Sequence, residues 1–305
     1  MIIIFPFVGD TVGGSHHSSQ LLISELLQSG VEVKVIIHRE GPLHNFFRNK
    51  GIKINCRNDH LPHWEAHKSI FVRFIRLIFV SLYLWQVLLR SRVQMVHVND
   101  ARMMISWAFA CRLARIPLIV HQRTVFAPSR ISELSLKMAT HVISISNFVE
   151  RSLPRQLVFK STVVMNPFNR DLNVVEAVSL RKQLNINEST KVLLFVGTIQ
   201  PQKRPMVALE ILNELVRSGE DVVLLIAGRY SSAAGDEILQ FASEQHISEV
   251  IKLLGYRTDI TSLFSISDIV LAPAVEEGFG RAIIEGMVSK VPVVAAASGG
   301  HQEII

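Results

Sequence analysis

The chain has 305 residues, of which 49% are hydrophobic, so it is long enough to form two domains with separate cores. Its two cysteines, Cys56 and Cys111, are too few for a disulfide framework, which favours a reducing, cytoplasmic setting. The net charge of +6 is compatible with an ordinary basic surface, with anionic substrates or with an anionic membrane surface. The sequence lacks zinc-ligand spacing, an RNA-binding motif and a dense Lys/Arg run, which argues against a nucleic-acid partner.

The first half of the chain alternates short β-branched runs with longer helical patterns, which is typical of parallel sheets with crossover helices. Residues 1–8 are apolar but too short for a signal peptide, and they lack its basic lead-in, so we expect a first strand there. We predict strands at 2–7, 31–37, 52–56, 93–98, 118–120, 141–145 and 162–165. We predict helices at 16–28, 69–89, 101–114 and 147–153, with Gly30 as the C-cap of the first.

A break at Asn166-Pro167 separates this half from a second α/β pattern. We therefore expect an N-terminal Rossmann-like domain at 1–167, a linker at 168–190 with a short helix near 177–184, and a C-terminal Rossmann-like domain at 191–305. In the second domain we predict strands at 191–196, 222–226, 250–253, 269–272 and 292–296. We predict its helices at 205–217, 236–244, 260–264 and 280–288.

Two carboxylates eight positions apart, Glu277 and Glu285, form the most informative motif of the chain. Between them, Gly278-Phe279-Gly280 leads into a predicted helix. Glycines let a ligand approach the backbone closely, and a helix N-terminus offers N–H groups to phosphate. Because Glu285 lies two turns into the helix, it can reach the hydroxyls of a polyol. The motif therefore suits a sugar attached to a nucleoside diphosphate.

This motif resembles the donor-site signature of the retaining glycosyltransferases of family 4 (glycosyl transferases group 1). Segments 196–205, 254–257 and 267–271 resemble further landmarks of that family, in the expected order. The resemblance implies the GT-B fold, in which two Rossmann-like domains face a central cleft. It also implies transfer of a sugar from a nucleoside-diphosphate donor to a glycan or lipid-linked acceptor, in polysaccharide, lipopolysaccharide or glycolipid biosynthesis. No metal and no cofactor beyond the nucleotide-sugar co-substrate are expected.

The resemblance assigns roles to the residues of the motif. Glu285 matches the glutamate that accepts hydrogen bonds from the ribose hydroxyls, and Glu277 matches the glutamate near the transferred sugar. Gly278, Phe279 and Gly280 are expected to supply backbone N–H groups and room for the donor.

The donor's diphosphate requires positive charge, and a glycine–lysine loop provides it. Gly197 and Lys203 match the loop that binds the donor phosphates in the family, and a lysine can neutralise a diphosphate without metal. Thr198 stands where the family often has an arginine, and Arg204 is our candidate substitute.

In the first domain, Gly13 and Gly14 match a glycine pair that faces the cleft. Their spacing from Gly9 is not the dinucleotide pattern G-x-G-x-x-G, which argues against a nicotinamide enzyme. The family also has a catalytic histidine after a strand that begins near a proline. His121 is our candidate for it, although counting from Pro117 places Arg123 at the same position.

Residues 70–89 form a long apolar stretch that Arg73 and Arg76 interrupt. Three interpretations stay open: a buried crossover helix, a helix that presents an apolar and basic face to an anionic bilayer, and a transmembrane helix. The second interpretation places the protein on the inner face of the plasma membrane as a peripheral protein.

The sequence ends at Ile305, where family members continue, so we expect the second domain to be incomplete. Two alternatives to an active glycosyltransferase stay open, and the chain end and Thr198 support only the first of them. One is a catalytically inactive fragment or a partner-dependent subunit of such an enzyme. The other is an epimerase-like or phosphorylase-like transferase.

Overall fold

The computed structural model describes residues 1–54, 61–65, 67–168 and 177–305. The chain divides into two compact units, Met1–Phe168 and Asn169–Ile305. The strand predicted at 52–56 lies partly outside the described residues. Within them, Ile54 forms an isolated parallel bridge to Val35.

The first unit is built on a parallel sheet of six strands. The strands are β1 (Ile2–Phe7), β2 (Glu32–Ile37), β3 (Met95–Val98), β4 (Leu118–Gln122), β5 (His141–Ser144) and β6 (Ser161–Val163), in the order β2-β1-β3-β4-β5-β6. The helices are α1 (Gly14–Gln28), α2 (Pro42–Asn49), α3 (Ile70–Ser91), α4 (Ala101–Ala114), α5 (Arg130–Met138) and α6 (Asn147–Arg151). Both faces of the sheet are covered, which explains the nearly continuous apolar runs of its strands.

Two of these helices, α2 and α5, were not predicted from the sequence. In α2, Leu43 and Phe47 provide the fully buried apolar side chains, while the rest of its apolar stripe is interrupted by polar residues. In α5, a capping box of Ser129 and Ser132 begins the helix, and Leu136 is its fully buried apolar residue. Both helices are too short for their periodicity to stand out from loop sequence.

The second unit repeats this architecture with a parallel sheet of five strands. The strands are β7 (Lys191–Val196), β8 (Val222–Ala227), β9 (Ile251–Gly255), β10 (Ile269–Ala272) and β11 (Val293–Ala295), in the order β11-β10-β7-β8-β9. The helices are α7 (Ala177–Gln183), α8 (Pro205–Arg217), α9 (Ser232–Glu244), α10 (Ile260–Ser265) and α11 (Arg281–Val288). The two α/β patterns of the sequence thus correspond to two Rossmann-like units.

The described part of the predicted linker, 177–190, packs on the second unit. Leu180 and Ile186 are buried in the same apolar cluster as the β7 residues Val192 and Leu194. Arg181 donates hydrogen bonds to the carbonyl oxygens of Thr190 (3.0 Å) and other residues of this unit. These contacts attach the end of the predicted linker to the second core.

The strand orders place a switch point in each sheet. In the first sheet β1 lies between β2 and β3, and in the second β7 lies between β10 and β8. In open α/β sheets, ligands bind beyond the carboxyl ends of the strands at such a switch point. Ligand-binding residues are therefore expected in four loops. These follow β7 and β10 in the second unit, and β1 and β3 in the first.

Helix α3 has two contrasting faces. Leu77, Val80, Leu84 and Leu88 are buried in the core of the first unit. The other face exposes a stripe of large apolar side chains: Phe71, Val72, Phe74, Ile75, Ile78, Phe79, Leu82 and Leu89. Among the described residues, Phe71–Ser91 is also the one helical stretch long and apolar enough to cross a membrane. The interpretation as a buried crossover helix therefore accounts for one face only.

Candidate functional site

The loops after β7 and β10 meet at the switch point of the second sheet. The backbone N–H of Val275 donates to the carbonyl oxygen of Gln202 at 3.2 Å, which joins the two loops directly. Gly228, just beyond β8, lies so close to the β7 loop that a Cβ there would be 1.8 Å from the carbonyl oxygen of Gly197. Only glycine allows the backbones to approach this closely, and the contact holds the start of the β7 loop in place.

Lys203 and Glu277 form an ion pair across this junction. The two residues are 74 positions apart in the sequence, and each belongs to a different predicted motif. Both side chains are partly accessible, at 31% for Lys203 and 23% for Glu277. Gly197 lies next to this pair, because a Cβ there would be 3.8 Å from Cδ of Lys203. The structure thus brings three of the predicted site residues together.

A second glycine pair supports the loop that carries Glu277. A Cβ on Gly299 would be 2.6 Å from the carbonyl oxygen of Glu277, and one on Gly300 would be 2.6 Å from that of Gly278. The N–H of Gly300 donates to the carbonyl oxygen of Glu277 at 2.8 Å. Glu276 is in the left-handed region, with φ of 51°. This packing fixes the turn and therefore the direction of the Glu277 side chain.

Helix α11 begins directly after this loop. Gly280 is its N-cap with φ of 111°, a conformation that favours glycine. Phe279 is buried, so it anchors the turn, and Gly278 lies between it and Glu277. These three residues place the N-terminus of α11 beside the Lys203–Glu277 pair, where an anion is favoured.

Glu285 lies on α11, one turn beyond Arg281, whose guanidinium it contacts at 2.8 Å. Burial raises the pKa of Glu285, and the Arg281 cation opposes that rise. A carboxylate in this partly desolvated position forms stronger hydrogen bonds than one in water. Arg281 was not singled out from the sequence.

Arg204 is exposed at the start of α8, with φ of 51°. It takes part in no ion pair among the described residues. The adjacent Lys203, rather than Arg204, is the residue that points toward Glu277.

In the first unit, Gly13 and Gly14 begin α1 at the switch point of the first sheet. Gly13 is the N-cap, and its N–H donates to Nδ1 of His16 at 3.1 Å. A Cβ on Gly13 would meet no atom within 4 Å, so the backbone faces open space. Burial lowers the pKa of His16 to about 4, so this ring is a neutral acceptor near pH 7.

His121 and Arg123, the two alternatives for the family histidine, lie in one buried polar cluster. Arg123 donates to Oδ1 of Asn99 (3.0 Å), to Oδ1 of Asn166 (2.5 Å) and to Nδ1 of His121 (3.2 Å). Because a guanidinium can only donate, Nδ1 of His121 accepts, and its proton is on Nε2. Nε2 is buried without a hydrogen-bond partner among the described residues. Burial and the Arg123 cation hold the pKa of His121 well below its usual value.

Sequence reasoning missed the residues that complete these two clusters. In the second unit they are Arg281 and His301, and in the first they are Ser19, Asn99 and Asn166. His301 follows the Gly299-Gly300 pair, and that position was the signal that could have found it. Within the described residues, no group of three His, Cys, Asp or Glu side chains is arranged to hold a metal ion.

Family models match most of the chain. The model described as Glycosyltransferase Family 4 matches residues 12–172, and the model described as Glycosyl transferases group 1 matches residues 178–305. A similar curated protein is the UDP-Gal:alpha-D-GlcNAc-diphosphoundecaprenol alpha-1,3-galactosyltransferase of Escherichia coli. It is 22% identical over 298 residues, which cover 90% of this chain and 73% of the relative.

Solved structures agree with this match at the level of the fold. Anabaena Alr3699/HepE in complex with UDP and glucose superposes with a TM-score of 0.81 at 20% identity, covering all of this chain and 83% of that one. WaaG, a glycosyltransferase involved in lipopolysaccharide biosynthesis, superposes with a TM-score of 0.70 at 14% identity, covering 99% of this chain and 83% of that one. These similarities confirm the predicted fold class, two Rossmann-like units of the GT-B type.

Proposed function

This chain is a member of glycosyltransferase family 4, and from that starting point we propose that it transfers a sugar with retention of anomeric configuration. The donor is a nucleoside-diphosphate sugar held by the second unit, and the acceptor is a glycan or a lipid-linked saccharide. HepE was solved in complex with UDP and glucose, and the E. coli relative is a galactosyltransferase with a UDP-Gal donor and a diphosphoundecaprenol-linked acceptor. The similarity to these two proteins supports a UDP-sugar donor and a lipid-linked acceptor.

The observation that carries the proposal is the Lys203–Glu277 pair at the switch point of the second sheet. A diphosphate needs a cation, and a sugar ring that gains positive charge is stabilised by a nearby carboxylate, which can also accept a hydrogen bond from a sugar hydroxyl. Before the donor binds, each of the two side chains satisfies the other. We propose that donor binding separates this ion pair, so that Lys203 contacts the diphosphate and Glu277 contacts the transferred sugar.

In this mechanism the chain's own residues promote departure of the nucleoside diphosphate. Lys203 and the N–H groups at the start of α11 stabilise the negative charge that grows on the leaving oxygen. Glu277 stabilises the oxocarbenium-like sugar or holds one of its hydroxyls. The acceptor hydroxyl then attacks from the face that the diphosphate leaves and gives its proton to the departing phosphate oxygen, which gives retention. Because Lys203 supplies the cation, the proposed reaction uses no metal and no cofactor.

The donor class is tested by calorimetric titration of the full chain with UDP, GDP and ADP. We expect selective binding of UDP, because HepE was solved with UDP and the E. coli relative is a UDP-Gal transferase. The proposed contacts of Glu285 with the ribose and of Lys203 with the diphosphate are common to all three nucleotides. Replacing Glu285 with alanine should weaken binding about 10- to 100-fold, the value of one or two charge-assisted hydrogen bonds. The matched control is Glu237→Ala, an exposed glutamate in α9 of the same unit.

Equal affinities of Glu285→Ala and the unchanged chain for UDP would contradict the ribose role. A cooperatively melting protein that binds none of the three nucleotides would instead favour the inactive or partner-dependent alternative. The stereochemistry is checked by NMR of the product anomer, and an inverted product would contradict retention.

We also propose that the exposed stripe of α3 attaches the protein to the anionic inner face of the plasma membrane. Phe71, Phe74 and Phe79 are each at least 60% exposed. A row of exposed phenylalanines on one helix face is unusual in a protein surface that contacts only water, and it is typical of an interaction surface. Arg90 and Arg92 lie at the other end of the helix and suit anionic headgroups. Burying apolar side chains in the interface while arginines contact the headgroups would bring the enzyme to a lipid-linked acceptor.

This proposal predicts binding to vesicles of phosphatidylcholine with phosphatidylglycerol, and weaker binding to phosphatidylcholine alone. Changing Phe71, Phe74 and Phe79 together to serine should lower the partition coefficient by at least about 10-fold. Each phenylalanine contributes roughly 1.5–3 kcal/mol on full burial, so this lower bound corresponds to burial of only about a third of the three side chains. The control changes Leu134, Phe159 and Leu239, exposed apolar residues outside α3, to serine. Unchanged vesicle binding of the phenylalanine variant, or a stable dimer of the unchanged chain that hides α3, would overturn it.

A further inference from the structure

His301 is a buried histidine whose ring covers the start of α11. The residue is 3% exposed. A Cβ on Gly280 would be 2.7 Å from Cδ2 and 3.1 Å from Nε2 of His301, so this ring edge lies against the N-cap of the helix. Nδ1 is 3.2 Å from the carbonyl oxygen of Ala296, and because a carbonyl only accepts, Nδ1 donates there. Nε2 is therefore the atom that can gain or lose a proton.

The position of His301 follows from the glycine pair before it. Gly299 and Gly300 press their backbones onto Glu277 and Gly278, which brings the next residue to the helix start. Since a side chain at Gly299 or Gly300 would collide with that backbone, the approach depends on both glycines. The loop that orients Glu277 and the segment that orients His301 are thus packed as one unit.

The charges around His301 are those of the candidate donor site. Burial lowers its pKa, the Glu277 carboxylate raises it, and the Lys203 ammonium lowers it again. On α11, Arg281 and Glu285 pair with each other, and Glu303 lies on the same short helical segment as His301. In the free protein the imidazole is neutral near pH 7, and the lone pair of Nε2 would repel a phosphate oxygen.

We propose that His301 takes up a proton from solvent when the diphosphate of the donor binds, and that its Nε2–H then donates to that anion. The inference rests on the proposed function and deepens it. The diphosphate would then be bound by three groups: the Lys203 ammonium, the N–H groups at the start of α11 and the His301 imidazolium. A bound diphosphate adds negative charge beside the ring, and an opposite charge within about 4–6 Å favours the charged form of a histidine. Donor binding is then coupled to pH through one named side chain.

The test is calorimetric titration of the full chain with UDP-glucose near pH 7 in buffers of different ionisation enthalpy. The diphosphate of UDP-glucose is doubly esterified and does not titrate in this range, so proton uptake reports the protein. We expect uptake of roughly half a proton or more per donor bound, and an affinity that rises several-fold from pH 8 to pH 6. His301→Gln should abolish the uptake and flatten the pH profile.

The matched control is His246→Gln, an exposed histidine in the same unit, which should keep both the uptake and the pH profile. NMR of the imidazole ring in the unchanged chain gives a second measurement that needs no variant for folding. The pKa of His301 should rise when UDP-glucose saturates the site. Absence of uptake in the unchanged chain, or identical uptake by His301→Gln, would overturn the inference alone. If neither UDP-glucose, GDP-glucose nor ADP-glucose binds, the proposed function falls, and this inference falls with it.

Discussion

Replacing Lys203 with alanine is expected to lower the rate of sugar transfer by about 100- to 1,000-fold, the usual cost of removing a preorganised charge from a leaving group. In the free protein this side chain is held by Glu277 and supported by the backbone at Gly197. The measurement is the release of nucleoside diphosphate from a nucleotide sugar, with kcat and KM determined separately. A role in the transition state lowers kcat, whereas a role only in binding raises KM.

Two comparisons make this prediction specific. Arg204→Ala, one residue further on, should have a much smaller effect, because Arg204 is exposed and does not approach Glu277. The double variant Lys203→Ala/Glu277→Gln should be slower than Glu277→Gln alone. If the two are equally active, Lys203 acts only as the partner of Glu277, and its proposed contact with the diphosphate is wrong.

Acidification is expected to destabilise the first unit, and His38 and His97 alone contribute about 4 kcal/mol of this between pH 7.5 and pH 5. His16 and the buried His121, whose pKa values are also lowered, add to the loss in the same direction. Burial lowers the pKa of His38 to about 4 and that of His97 to about 3, and the cation of Arg123 adds to the effect on His97. Both folded-state pKa values lie below the unfolded value near 6.5. Their contribution is therefore complete above pH 6.5 and is lost as the pH falls toward 4 and 3.

Tryptophan fluorescence during urea unfolding measures this effect in the first unit, because Trp64, Trp85 and Trp107 all lie there. Trp107 donates through Nε1 to Nε2 of His38 at 3.1 Å, so protonation of His38 also breaks this hydrogen bond. His38→Gln removes one titrating group and should make the pH dependence less steep. Exposed His67→Gln should leave it as it was. A midpoint that does not move between pH 7.5 and pH 5 would contradict the prediction.

The sequence predicted the long elements of the fold well, because their apolar periodicity is a local property. The bounds of α4, α8, β1, β7 and β10 agree with the prediction to the residue. The short helices α2 and α5 were missed, since the packing of one or two side chains fixes them rather than a visible pattern. The candidate site followed the same division: the motifs supplied the candidate residues, and the partners that the structure places beside them, such as Arg281 and Asn99, were not among the candidates.

By itself the sequence determined the α/β class, the family and the identity of the donor-site candidates, because these depend on residue types at fixed spacings. Only the tertiary structure decided which of them meet. Lys203 contacts Glu277 because β7 and β10 are neighbours in the sheet, although 72 residues lie between the end of β7 and the start of β10. Strand order of this kind is not written in any local pattern. His301 reaches the start of α11 because the Gly299-Gly300 pair packs on the loop that carries Glu277. Helix α3 exposes one apolar face because only its opposite face packs into the core of the first unit.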